Sequence, residues 1–306
     1  MLRYIVRRLL WMIPVLLFIS IVTFGLAHGV PGGPFDTEKK RPPEILANLE
    51  KYYGLDKPVP IQYINYMTNI ITKFDFGPSL VQRGRTVNEI LATHLPVSAQ
   101  LGVLALLVAL LIGIPLGIVA ALKQNTFWDY LGMGVAVFGV SVPNIVLGPL
   151  LIWIFALALG WFPVAGWGKP SQMVLPAIAL GLGSSAIIGR LTRASMLQVI
   201  REDYIRTARS KGLTERIIMV RHALKNAFIP VATVLGPMFA ALTTGTFVVE
   251  QIFASPGMGK YFITSVTNRD YAVVMGTTLL YAVFLVIANL VVDITYAFLD
   301  PRIRYT

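Results

Sequence analysis

Along the chain, stretches without a single Asp, Glu, Lys or Arg occupy residues 9–35, 95–122, 130–168, 170–189, 226–249 and 271–292. Each reaches the roughly 20 residues that a helix needs to cross the hydrocarbon of a bilayer, where helices keep their backbone polar groups satisfied internally. The pattern predicts an all-α, polytopic membrane protein with six transmembrane helices. The first lies within residues 1–30, an amphipathic segment follows at 31–95, five more spans fill 96–299, and a tail occupies 300–306. A cleavable signal peptide is the competing reading of the first run. Leu9 to Ala27 is longer than the ~7–15-residue apolar core of such peptides and lacks a small-x-small cleavage site.

Between the first two long runs the period changes. Residues 44–53 place Ile45, Leu49 and Tyr52 on one helical face, with Gly54 as the stop. Pro58 and Pro60 introduce a second amphipathic run over 61–73, carrying Ile61, Ile64, Met67 and Ile71 at helical spacing. A third helix is expected from Thr86, which stands three residues before Glu89 in the spacing of a capping box. Together these predict a small lid at one end of the bundle, either covering it or contacting a partner outside the membrane.

Inside the spans, small residues recur four apart at Gly113 and Gly117, Gly132 and Ala136, Gly181 and Ser185, and Gly236 and Ala240, a spacing that lets helices approach closely. Pro115, Pro143, Pro149, Pro176, Pro230 and Pro237 are expected to interrupt helical hydrogen bonding. No carboxylate or base lies in the middle of a span, which argues against a proton-coupled pump. The polar positions that remain, Ser141, Asn144, Ser184, Ser185, Thr243, Thr244 and Asn289, are candidates to line a substrate pathway or to bond one helix to another.

Composition agrees with this picture. Of 306 residues 56% are apolar and only 13% charged, against about a quarter charged in a soluble domain. The net charge of +11 is unevenly spread. Arg3, Arg7, Arg8, Lys123, a run of nine Lys and Arg between Arg190 and Lys225, Arg302 and Arg304 all fall on one side of a six-span topology, with few acids among them. The positive-inside rule then places both termini in the cytoplasm. The basicity is an orientation signal and does not indicate nucleic-acid binding; a basic membrane loop meets anionic lipid or a protein partner. The absence of cysteine excludes disulfides, thiolate metal sites and cysteine nucleophiles. The histidines, His28, His94 and His222, sit at or beyond span edges, so neither a Ser–His hydrolase nor a metal centre is expected, and the chain carries no catalytic residue.

Residues 198–226, QVIREDYIRTARSKGLTERIIMVRHALKN, are too polar for the bilayer and too regular for a linker. Asp203 is expected to cap a helix over 204–211, with Tyr204, Ile205 and Ala208 on one face and Arg206 and Arg209 on another. Gly212 ends it, and Thr214 starts a second helix expected to run to about Asn226. A short helix of this kind suits a groove in a cytoplasmic partner, or a bed on anionic lipid.

The segment DYIRTARSKGL, residues 203–213, resembles the cytoplasmic coupling motif of the inner-membrane permease subunits of binding-protein-dependent ABC importers. Thr207 and Ala208 match that motif's small pair and Gly212 its glycine. Arg206 stands where the general motif has Glu, and Lys225 where it ends in proline; the Arg is typical of the dipeptide and oligopeptide branch. Further segments are similar to that branch: LRYIVRRLL (2–10), PPEILANLEKYYGL (42–55), FDFGPS (74–79), ALKQNTFWDY (121–130), LTRASM (191–196), RHALKNAFIP (221–230), SPGMGKYF (255–262), NRDY (268–271) and LDPRIRY (299–305). The resemblance spans essentially the whole chain and is nearest the B-type permease of oligopeptide systems.

That resemblance implies a type I ABC importer permease fold in a bacterial inner membrane and a set of partners: a homologous second permease, two cytoplasmic ABC ATPases that bind ATP and Mg, and an extracytoplasmic peptide-binding protein, with membrane lipid around them. This chain would bind no cofactor or metal itself. Asp203, Tyr204, Arg206, Thr207, Ala208, Arg209, Lys211 and Gly212 would transmit ATPase closure to the spans. In an outer loop at 250–270, Ser255, Pro256, Gly257, Met258 and Gly259 would reach the binding protein. SPGMGK also looks like a phosphate-binding loop, but Ala254 stands where the first glycine is required and Tyr261 where Ser or Thr is. The substrate expected is peptide, with oligopeptides favoured. The rival from another class is an ATPase-independent channel or carrier for small solutes, which would have no use for the basic loop.

Overall fold

A computed structural model describes residues 2–35, 43–82, 84–244 and 247–299. Part of the expected lid, at 36–42, and the tail at 300–306 lie outside the described residues. In chain order the helices are α1 (Leu2–Gly29), α2 (Pro43–Tyr53), α3 (Val59–Lys73), α4 (Val87–Leu122), α5 (Phe127–Ser141), α6 (Asn144–Leu151), α7 (Pro170–Val199), α8 (Asp203–Ser210), α9 (Glu215–Ile217), α10 (Leu224–Thr244), α11 (Phe247–Ile252), α12 (Gly259–Thr267) and α13 (Tyr271–Leu299). π-Helical turns at Ile152–Ala158 and Ile218–Ala223 extend α6 and join α9 to α10.

Among the described residues, five helices have the length and apolarity of a span: Ile5–Gly29, Val87–Leu122, Pro170–Val199, the continuous run Glu215–Thr243, and Tyr271–Val291. The sixth is not the straight helix expected over 130–168. α5 and the α6 run meet at 107°, and residues 160–168 are turns and bends. The cause is local. Val142 precedes Pro143 and is pushed out of the helical region to φ −87°, ψ 114°, and Pro143 itself is extended at ψ 144°. Two consecutive extended residues reset the chain direction before Asn144 begins α6. Pro149, Pro176, Pro230 and Pro237, in contrast, lie inside continuous helices.

The chain forms two compact units. The first contains Ala99–Pro256 together with the chain from Ile287. Its core gathers Leu101, Ala105, Leu147, Leu175, Ala179 and Phe253. The small residues on α4 serve close packing: a Cβ on Gly113 would fall 2.6 Å from the Ser185 carbonyl oxygen, and one on Gly117 2.5 Å from that of Gly189, so α4 and α7 touch through backbone.

The second unit contains Leu2–Ser98 and Gly257–Val286. Val87, Ile90, Leu91, Met258, Tyr261 and Val273 form one core, and Phe24, Met275 and Leu279 form another with Tyr63, Tyr66 and Ile70 of α3. Helices form at both amphipathic segments, and Gly54 after α2 takes φ 68°, but the expected apolar faces are not the ones that pack: Ile45, Tyr52, Ile61, Ile64 and Ile71 are exposed, and α3 packs through Tyr63, Tyr66 and Ile70. The capping box at the start of α4 is reciprocal: the Glu89 N–H donates to Thr86 Oγ1 at 3.2 Å, and the Thr86 N–H to Glu89 Oε2 at 3.1 Å.

Candidate functional site

The helix α8 separates two kinds of contact. Ile205 and Ala208 are buried and pack with Met196, Ile218, Ala223 and Ala227, so the apolar side of the helix is bound to its own chain. Tyr204, expected on that same face, is instead half out in solvent, its hydroxyl accepting from Asn226 Nδ2 at 2.7 Å. Arg206, Thr207, Arg209, Ser210 and Lys211 form the exposed side. Asp203 is not the cap: Glu202 occupies the boundary without a side-chain capping bond, and Asp203 is the first helical residue, where a carboxylate suits the positive end of the helix. It lies 3.6 Å from Arg206 on the next turn.

Gly212 closes α8 at φ 75°, a conformation that L residues with a Cβ avoid. Its N–H donates to the Arg209 carbonyl at 2.9 Å, and the Leu213 N–H to that of Ala208 at 3.3 Å. Nothing lies within 4 Å of a Cβ built there, so the turn faces open space. Arg209 then reaches across the turn to Glu215, Nε to Oε1 at 2.7 Å, and that hydrogen bond holds the guanidinium above its ordinary pKa. The second helix does not stop near Asn226. From Glu215 the chain runs through the π-helical turn directly into α10, because residues 217–224, with Ile217, Ile218, Met219, Val220 and Leu224, offer no breaker.

A buried ion pair that sequence reasoning missed lies in the same unit. Arg193 donates from Nε and Nη2 to the two carboxylate oxygens of Asp129, each at 2.7 Å, and the Asn125 N–H adds a third bond at 2.9 Å. The Asp129 side chain is 3% exposed and that of Arg193 26%. This bidentate clamp ties the first turn of α5 to α7 ten residues before α8 begins. Both residues stand in segments that resemble the family, but 64 positions of separation leave no periodicity from which to pair them.

In the loop after α11, Ser255, Gly257, Met258 and Gly259 are buried, while Ala254, Pro256 and Lys260 are exposed. Met258 is held by its N–H, which donates to Ser98 Oγ at 2.7 Å. Nearby, Tyr261 meets His94 Nε2 at 3.1 Å. Asp270 is buried at the start of α13 and accepts the N–H groups of Leu80 at 3.1 Å, Val81 at 3.4 Å and Val273 at 3.4 Å, as well as the Ser79 hydroxyl.

The polar positions in the spans have separate surroundings. Ser141 is exposed at the bend, Asn144 half-buried at the start of α6, and Ser184 and Asn289 half-buried. Ser185 and Thr243 are buried and donate to carbonyls of their own helices, at Leu182 (2.7 Å) and Phe239 (2.9 Å). The Thr244 side chain lies outside the described residues. No group of His, Asp and Glu suited to a metal occurs among the described residues.

Several spans together with a short polar helix, α8, that is seated by its apolar face and bares its charges suit a membrane transport subunit. Residues 113–305 match the family described as "Binding-protein-dependent transport system inner membrane component", and residues 1–100 match the N-terminal model of the same membrane components. The chain belongs to this family of inner-membrane transport permeases. It is 50% identical to the dipeptide transport system permease protein DppB of Bacillus subtilis, over 99% of this chain and 98% of that one. It is 45% identical to the oligopeptide transport system permease protein OppB of Salmonella typhimurium and 44% to that of Escherichia coli K12, over the full length of each. Among solved structures, a chain of the inward-facing MetNI methionine ABC transporter superposes with a TM-score of 0.57 at 18% identity, over 70% of this chain and 97% of that one. The fold is that of a type I ABC importer permease.

Proposed function

We propose that this chain is the membrane-spanning subunit of an ATP-driven importer that moves peptides into the cytoplasm, and that α8 is the element on which an ABC ATPase acts. In this reading it pairs with a homologous permease, two cytoplasmic ATPases carrying ATP and Mg, and an extracytoplasmic peptide-binding protein, with both of its own termini in the cytoplasm. The observation that carries it is the division of α8. Ile205 and Ala208 pack the helix against Met196 of α7 and Ala227 of α10, so a force on the exposed Arg206, Thr207, Arg209 and Lys211 is passed to those two helices. ATPase closure moves the spans only if the two ATPase states contact that exposed face differently.

On the outer side in this reading, the buried members of the 255–259 loop set its shape, and the exposed Pro256 is the residue offered to the binding protein. Ser141, Asn144 and Ser184 are the pathway candidates; Ser185 and Thr243 have their hydroxyls bonded within their own helices. Relatives named for dipeptides and for oligopeptides both match this chain from end to end. That supports a reading in which length selection rests mainly with the binding protein.

Two substitutions test the assignment of α8. Gly212→Asp places a charged side chain in open space on the docking turn; it should insert normally and lose ATPase association or coupling. Arg206→Glu alters a side chain that is 75% exposed, so stability should shift by no more than about 0.5 kcal/mol, while peptide uptake in membranes falls at least about tenfold. Normal uptake in both variants would remove α8 from the mechanism.

A further inference from the structure

Within the second unit, the last turns of α1 and the first turns of α13 meet α2 and α3 around a cavity of about 460 Å³, inside the ~300–1,000 Å³ range of small-ligand sites. Its lining includes Lys51 and Lys57 and no Asp or Glu. Glu50 and Asp56 adjoin Lys51 and Lys57 in sequence but do not line the cavity; Asp75 accepts the Gly77 N–H at 2.8 Å, and Asp270 is bonded to Ser79 and the backbone. His28 is fixed between the Phe24 carbonyl at 2.9 Å and Gln62 Oε1 at 3.2 Å, and the Gln62 amide donates to the Leu55 and Lys57 carbonyls. Lys51, Lys57 and the side-chain amides of Asn65 and Asn69 have no such partner among the described residues. The cavity thus offers two cations and two amides against a wall of aromatic rings that includes Phe24 and Tyr271.

Its position narrows the ligand. The cavity lies where two spans end, the level of a bilayer interface, at which aromatic rings and cations sit. The surface of α1 leading up to it is apolar and outward-facing, with Phe18 68%, Ile21 57% and Leu26 68% exposed. The geometry points to a binding site for the phosphodiester headgroup of an anionic phospholipid: Lys51 and Lys57 hold the phosphate, Asn65 and Asn69 bond the glycerol oxygens, and the acyl chains lie along α1. This inference uses the membrane-spanning fold and is independent of the role of α8.

The test is native mass spectrometry of the full-length chain, purified in mild detergent with whatever subunits accompany it and titrated with phosphatidylglycerol. Wild type should retain the lipid, the double variant K51Q/K57Q should retain it about 30-fold more weakly, and K51R/K57R should keep it. Lys73→Gln, at an exposed position of α3 outside the cavity, should bind as wild type does. Free glycerol 3-phosphate in the same titration separates the sources: failure to displace the lipid supports the membrane as origin, whereas displacement at equal concentration would overturn it in favour of a soluble phosphate. Equal retention by wild type and K51Q/K57Q would overturn the site itself.

Discussion

Two polar regions of this molecule, α8 and the corner around Asp270, are held in opposite ways. At α8 the apolar side is buried and the charges are exposed, so what secures the helix is the packing of Ile205 and Ala208. At the corner formed by residues 79–81 and the start of α13, the carboxylate itself is buried, and Asp270 organises the chain through bonds to Ser79, Leu80, Val81 and Val273. A buried, fully bonded carboxylate tolerates little rearrangement, because each donor it releases stays without a partner. A helix seated on apolar contacts keeps its outer face free for a partner. Under the role proposed for α8, the difference separates a helix whose exposed charges a partner can push from a corner, at 79–81, built to hold its shape.

Substitutions that invert this relation should have graded effects. The largest is expected for Asp270→Ala, which strands the buried Ser79 hydroxyl and Val273 N–H, frees the part-buried N–H groups of Leu80 and Val81, and removes a carboxylate from a helix start; unfolding of the second unit should become easier by about 3–5 kcal/mol, read as a fall in melting temperature in detergent. If its melting temperature matches wild type, the corner does not hold that unit. Ile205→Ala comes next. The residue is fully buried but belongs to a short surface helix that can settle into the space, so the cost should fall in the lower half of the ~2–5 kcal/mol range. Amide exchange should show this as faster opening of residues 203–210 with α7 unchanged; unaltered exchange would mean that α8 is anchored elsewhere. The smallest effect belongs to Glu215→Gln. The pair with Arg209 is exposed on both sides, 40% and 64%, so its loss should change stability by about 0–1 kcal/mol and vanish at high salt. A loss several times larger would show that the turn at Gly212 depends on this pair.

Much of the helical layout was legible because it rests on local rules: charge-free runs for spans, period 3.6 for α2 and α3, the Thr86 and Glu89 spacing for the start of α4, and Gly212 for the end of α8. The failures have local causes too, weighed differently. All six prolines were expected to interrupt helices, yet Pro143 alone accompanies the 107° break, since there the residue before the proline has left the helical region as well. The boundary near Asn226 rests on a change in polarity, and polarity alone does not stop a helix where the flanking residues, 217–229, include neither Gly nor Pro. What the pattern could not contain is pairing across distance. Asp129 with Arg193 and Ser79 with Asp270 each join segments noted for their resemblance, but nothing in a single sequence says that one faces the other.

The measurement that bears most directly on the role of α8 as a docking element is purification of the chain from membranes in mild detergent without crosslinker, followed by mass identification of the proteins that remain bound. The account predicts recovery of a second permease and two ABC ATPases, and from the Gly212→Asp variant the loss of the ATPases with the second permease retained. Recovery of this chain alone, under conditions that keep a control importer intact, would contradict it and favour a self-sufficient channel or carrier.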